Sequence, residues 1–150
     1  MDANRSEFRV LVGCVAVLYI KFLVTCMIQG RKGFIAGGHV EVKSPRHSVA
    51  RLELEVEPAA GALEAEARWK RIIQNDLESI PFALVVFLVA VSANGPMTTV
   101  NTVLMLTYTI TRIAHTISYA TKHAMARMLT WMTGVFCIMG GIGSAIRSSL

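Results

Sequence analysis

The sequence predicts an all-α membrane protein, a four-transmembrane-helix bundle of up-and-down topology. Three observations predict it. The first is composition: 53% of the 150 residues are hydrophobic, only 17% are charged, and the mean hydropathy is +0.51. A soluble domain is about 45–50% apolar and about 25% charged, and a chain of this size needs polar groups to cover a large surface. The second is the succession of apolar runs near the ~20 residues that cross a hydrocarbon core. The third is the uneven placement of Lys and Arg along the chain. The same numbers exclude a disordered chain, which would be apolar-poor and charge-rich. Three cysteines, Cys14, Cys26 and Cys137, have no CxxC spacing and make no disulfide framework.

The first helix is expected at about residues 7–29, on the apolar run Phe8–Ile28, interrupted by Arg9 and Lys21. It is longer than a signal-peptide core and no small-residue cleavage site follows it. A polar connection at about 30–63 comes next. Within it Arg51–Glu57 alternates polar and apolar residues, the pattern of a short strand or solvated loop, and Pro58 and Gly61 break that pattern. The second helix is expected at about 64–93. Its apolar part, Ile80–Ala93, is too short to span alone. It must therefore carry Gln74, Asn75, Asp76 and Glu78 in its first turns. Asn94-Gly95-Pro96 is a turn. The third helix is expected at about 97–120 and the fourth at about 124–147, all within a single membrane domain covering 1–150.

Basic residues set the expected orientation. Arg31, Lys32, Lys43, Arg46, Arg51, Arg68, Lys70 and Arg71 gather around the first connection, and Lys122, His123 and Arg127 around the third. The second connection is uncharged. The first and third connections are therefore expected on the cytoplasmic side. The net charge of +5 reads as juxtamembrane charge beside anionic head groups, not as a nucleic-acid surface.

A charge at the centre of a bilayer costs about 2.5–3.5 kcal/mol on insertion scales. Asp76, Glu78, Arg112 and His115 must therefore lie near the interface, face the bundle interior, or pair. Arg71, Asn75 and Glu78 share one face of the second helix, at i, i+4 and i+7. Tyr108, Arg112, His115 and Tyr119 share one face of the third. The antiparallel course brings both faces, and Arg127, to one depth. That is either a paired structural network or a polar site. Arg112 either pairs structurally with Asp76 or Glu78 or serves the site, and Lys21 either snorkels or pairs. As a site, the set offers Arg for carboxylates, Glu for an ammonium and Asn, His and Tyr for orientation. It suits a zwitterionic, carboxylate-rich small molecule, with guanidinium available to an anion such as a thiolate. His39, His47, His115 and His123 show no ligand spacing, so no metal is expected. The three cysteines read as small buried hydrophobes. Gly140/Ser144 and Gly141/Ala145 read as close-packing pairs on the fourth helix, and Pro81 as a kink.

Arg71–Phe82 (RIIQNDLESIPF) and Arg112–Tyr119 (RIAHTISY), with Asn-Gly-Pro between them, resemble the second- and third-helix motifs of the MAPEG family, the membrane-associated proteins in eicosanoid and glutathione metabolism. The resemblance implies a homotrimer of four-helix protomers in the endoplasmic reticulum (microsomal) membrane, surrounded by lipid. Glutathione would be the cosubstrate, bound between subunits near the cytoplasmic face, and a lipophilic molecule the second substrate. By motif, Arg71, Asn75, Glu78, His115 and Tyr119 match glutathione-contacting positions, joined by Arg31 after the first helix and Trp131 one turn beyond Arg127. Arg127 matches the arginine that stabilises the thiolate, and Asp76 and Arg112 match supporting positions. The implied activity is that of a glutathione transferase or peroxidase. The alternatives are a glutathione-dependent prostaglandin E synthase and a non-enzymatic lipid-binding scaffold. Gln74, where that synthase has an arginine, and Met128, where it has a serine, depart from the isomerase pattern. A small proton-coupled transporter is a further class, disfavoured because the acidic residues gather near one face of the membrane.

Overall fold

The computed structural model describes residues 2–36, 60–93 and 97–150. They form α1 (Asp2–Ile35), α2 (Ala60–Ser92), α3 (Thr98–Ala120) and α4 (Ala124–Ser149). No strand occurs among the described residues. The Arg51–Glu57 segment, read above as strand or loop, and the Asn94-Gly95-Pro96 turn lie outside them. The helices alternate in direction. α1 and α4 each pack on both α2 and α3 but not on one another, so they flank a central α2–α3 pair.

Helix α1 runs past the end expected near residue 29, and α2 starts earlier than residue 64. Gly30 and Gly33 are weak helix formers, at about 1 kcal/mol each relative to Ala, and look like stop signals in the sequence. The fold overrides them by packing the two protruding helix ends together. A Cβ at Gly33 would lie 3.6 Å from Glu66 Oε1 of α2, and the Ala36 amide still donates to the Lys32 carbonyl at 2.9 Å. Arg31 therefore stands on a helix and not in a loop. At 1.5 Å per residue, the 34-residue α1 and the 33-residue α2 are each about 50 Å long, well beyond a ~30 Å hydrocarbon core.

Each helix buries one stripe and exposes the rest. Leu11, Cys14 and Leu18 of α1, Ile80, Ala83, Phe87 and Val91 of α2, Met105 and Tyr108 of α3 and Cys137 of α4 form one core cluster. Their spacing follows the i, i+3/i+4, i+7 rule of a helical face. The outer faces carry large apolar side chains in the open, among them Tyr19, Phe82, Val85, Ile110 and Phe136. Exposed apolar surface on this scale needs a lipid or protein neighbour. Arg5–Ile35, Gly61–Ser92 and Ala124–Ser149 are long and apolar enough to cross a membrane. Helix α3 buries Asn101, Thr109, Arg112 and His115 on its inward face. The chain is an integral membrane protein of four helices.

Small residues bring α4 close to its neighbours. A Cβ on Gly140 would come 3.0 Å from Leu104, and one on Gly141 would come 3.0 Å from Val86 and 3.1 Å from Phe87. The glycine stripe of α4 is thus the contact that seats it on α2 and α3. Pro81 lies inside α2, where its missing N–H leaves the Leu77 carbonyl without its helical donor.

Candidate functional site

Asp76 is the hub of a buried ion network linking three helices. It projects from α2 one turn after Ile72, on the inward stripe that continues to Ile80 and Ala83. Arg112 Nη2, from α3, donates to Asp76 Oδ1 at 2.8 Å. Lys21 Nζ, from α1, donates to Asp76 Oδ2. The same Arg112 nitrogen also donates to Asn75 Oδ1 at 2.6 Å and is 3.3 Å from the Asn75 carbonyl oxygen. The side chains of Asp76 and Arg112 are 0% and 2% exposed, and that of Lys21 is 9% exposed. Two cations against one anion leave this buried cluster with one excess positive charge. Arg112 Nε is buried without a hydrogen-bond partner among the described residues. Lys21 thus pairs, and Asp76 and Arg112 pair with each other. Asn75 faces this network, in place of the open side of α2.

A second cluster joins α3 to the start of α4. His115 is buried and its Nδ1 lies 3.2 Å from both the Arg127 carbonyl and Thr130 Oγ1. Its ring meets Tyr119 edge-on, with centroids 5.7 Å apart. The Arg127 guanidinium lies over the Tyr119 ring, 4.7 Å from its centroid, a cation–π contact. The turn before it fixes this geometry. The His123 amide donates to the Ser118 carbonyl at 3.0 Å and the Lys122 amide to the Tyr119 carbonyl at 3.3 Å. Those two bonds make a Schellman cap, whose central residue takes a left-handed conformation. Lys122 occupies it with φ 64°, where glycine is the usual choice. Lys122 Nζ reaches Glu64 Oε1 of α2 at 3.4 Å, tying this turn to the protruding start of α2.

The remaining expected residues are open to the surroundings. Arg71 and Glu78 are exposed on α2. Glu78 accepts a hydrogen bond from Gln74 Nε2 at 2.8 Å, and no ion pair of Arg71 occurs among the described residues. Arg31 is exposed near the end of α1, and Trp131 is exposed on α4. The structure therefore gathers His115, Tyr119 and Arg127 in one cluster and Asn75, Asp76 and Arg112 in another. It leaves Arg71, Glu78, Arg31 and Trp131 facing outward. On the far side of the Asp76 network from the His115 cluster, Ser79 Oγ and the Tyr108 hydroxyl are 2.8 Å apart.

Lys21 was expected to snorkel or pair, with no partner assigned. Its only signal was a cation inside an apolar run, and its partner lies 55 residues away. On the same side of α2, an apolar recess of about 270 Å³ opens between α1 and α2, lined by Val15, Leu18, Tyr19, Phe22, Leu77, Ile80, Pro81 and Leu84, with Asp76 at its polar end. No group of His, Cys, Asp and Glu suited to a metal ion occurs among the described residues.

Among known proteins, the model of the MAPEG family matches residues 10–147. No curated protein and no solved structure matches the chain.

Proposed function

The chain belongs to the MAPEG family, and from that premise we propose that it is a membrane-bound glutathione-dependent transferase or peroxidase acting on lipophilic substrates. The observation that carries this reading is the Arg127–Tyr119–His115 cluster. A guanidinium is held over an aromatic ring 4.7 Å away, on the end of the bundle where Arg71 also stands exposed. Arg71, exposed and without an ion pair among the described residues, can take a glutathione carboxylate, and Glu78, two turns along the same face, can take the amine. Arg127 is exposed enough to reach the sulfur. An arginine beside the sulfur favours the thiolate over the thiol by direct Coulomb attraction, and the thiolate is the nucleophile.

With an aryl halide, the sulfur forms a bond to the ring carbon and the halide leaves with the bonding pair. With a hydroperoxide, the sulfur attacks the O–O bond and releases the alcohol. A second glutathione then closes the disulfide and water leaves. The outward placement of Arg71, Glu78 and Trp131 supports a homotrimer in which glutathione bridges two protomers. It also supports the apolar recess beside α1 as the entry for the lipophilic substrate. In one chain α1 and α4 stand on opposite sides of the α2–α3 pair, so the recess and Arg127 come together only between neighbouring protomers. In this reading the first and third connections face the cytoplasm, the source of glutathione, and the membrane is that of the endoplasmic reticulum.

The test is turnover by the purified protein with glutathione and, in parallel, an aryl halide, a lipid hydroperoxide and a prostaglandin endoperoxide. Conjugation or peroxide reduction, strongly diminished by Arg127→Ala with the oligomer intact, is the expected result. Activity confined to the endoperoxide would make the protein an isomerase. No turnover and no glutathione binding would make it a scaffold.

A further inference from the structure

We infer that the chain carries a second anion site at the opposite end of the bundle, which holds the phosphate of an anionic phospholipid. A recess of about 450 Å³ lies there, lined by Arg5, Phe8 and Arg9 of α1 and Val91 and Ser92 of α2. That volume falls in the range of small-molecule sites, about 300–1,000 Å³. Arg5 and Arg9 are four residues apart and so project from one side of α1. Both are exposed, and neither has an acidic partner among the described residues. Glu7, between them in sequence, turns the other way and is 3% exposed in the bundle. Its carboxylate lowers the local charge but is not on the wall of the recess.

The chemistry of the wall is that of a lipid head group at its apolar boundary. Two guanidiniums present paired donors that match phosphate oxygens, and the Ser92 hydroxyl adds a third donor. Phe8 and Val91 give the apolar wall that a glycerol backbone and the first acyl carbons require. The end of α1 that carries Arg5 is the positive end of its helix dipole, and the end of α2 that carries Ser92 is the negative end of another. These oppose each other, so the arginines decide the preference.

Position points to a lipid as the source of the phosphate. Ser92 is 21 residues along α2 from Arg71, which at 1.5 Å per residue is about 32 Å. This matches one hydrocarbon thickness, about 30 Å. If Arg71 stands in one head-group layer, the recess stands in the other. The α1 sequence becomes continuously apolar immediately after Arg9, at Val10. The site is therefore separate from the proposed glutathione site and does not depend on it.

The experiment is native mass spectrometry of the full chain released from micelles holding equal amounts of phosphatidylglycerol and phosphatidylcholine. At roughly fivefold in affinity per basic residue near a membrane surface, the wild type is expected to retain phosphatidylglycerol at least fivefold over phosphatidylcholine. Arg5→Gln/Arg9→Gln is expected to abolish the preference while keeping helical content. Arg147→Gln, which removes an exposed charge from the last turn of α4 and not from the recess wall, is expected to keep it. Equal retention of the two lipids by the wild type would overturn the inference, as would an undiminished preference in the Arg5/Arg9 variant. Displacement of the lipid by an equal concentration of inorganic phosphate would also overturn it, since the site would then hold free anions.

Discussion

Among the described residues, replacing Asp76 with Asn removes the only carboxylate paired with Lys21 and Arg112. The substitution keeps the shape of the side chain, so it leaves no cavity. What changes is electrostatic. Arg112 is 2% exposed and the Lys21 side chain 9% exposed, and both are left without their carboxylate. Breaking a buried pair by removing one partner costs about 3–5 kcal/mol. Asp76 serves two cations, which argues for the upper part of that range. The Asn75 oxygens still accept from Arg112, which argues against exceeding it. Set against the 5–15 kcal/mol typical of a folded chain, a loss of about 4–5 kcal/mol is a quarter or more of the total.

The measurement is unfolding of the purified protein by a denaturing detergent, followed by circular dichroism and by the fluorescence of Trp69 and Trp131. The Asp76→Asn midpoint is expected to fall steeply. The triple variant Lys21→Met/Asp76→Leu/Arg112→Met is expected to unfold nearer to wild type, because apolar replacement of a whole buried network is often neutral or stabilising. A single Asp76→Asn variant within about 0.5 kcal/mol of wild type, the range of ordinary surface changes, would refute the reasoning. The network would then contribute nothing to holding α1, α2 and α3 together.

Gly141→Leu forces side-chain atoms into Val86 and Phe87, both already near 3 Å from a bare Cβ, and is expected to destabilise by about 1–3 kcal/mol in the same unfolding assay. Gly143→Ala meets nothing within 4 Å, so it is expected to gain helix stability of about 0.5–1 kcal/mol. Lys122→Gly relieves the left-handed backbone at φ 64° and is expected to raise stability by about 1 kcal/mol. The exposed contact to Glu64 that it gives up is solvent-screened. Arg71→Ala is expected to raise the KM for glutathione on the order of tenfold, the worth of a hydrogen bond to a charged group. The kcat should be nearly unchanged, the pattern of lost ground-state binding in steady-state kinetics.

The helical fold was legible because lipid is a demanding solvent: apolar runs long enough to span must be helices. A partner for Arg112 on α2 was legible too, since helical spacing placed the charges of the two helices at one depth, but the choice of Asp76 over Glu78 was not. Helix ends were less legible. Gly30 and Gly33 look like terminators, yet Gly33 packs against Glu66, a contact between segments that local sequence does not encode. Pairing was one of the two outcomes expected for Lys21, but its partner was not legible for the same reason, since it lies on another helix. The cation–π seat of Arg127 depends on a Schellman turn built around a lysine in a glycine conformation. No propensity rule would place one there; topology put Arg127 at the depth of the polar faces, and the family motif assigned its role. The recess at Arg5 and Arg9 takes its walls from the start of α1 and the end of α2, so neither segment announces it alone.

The most direct test of the central claim is the ultraviolet difference absorbance of thiolate when glutathione is added to the purified oligomer at neutral pH. The wild type is expected to give a saturable thiolate signal. In Arg127→Ala that signal should disappear while calorimetry still detects glutathione binding. A wild-type protein that binds no glutathione, or an Arg127→Ala variant with the full thiolate signal, would contradict the claim.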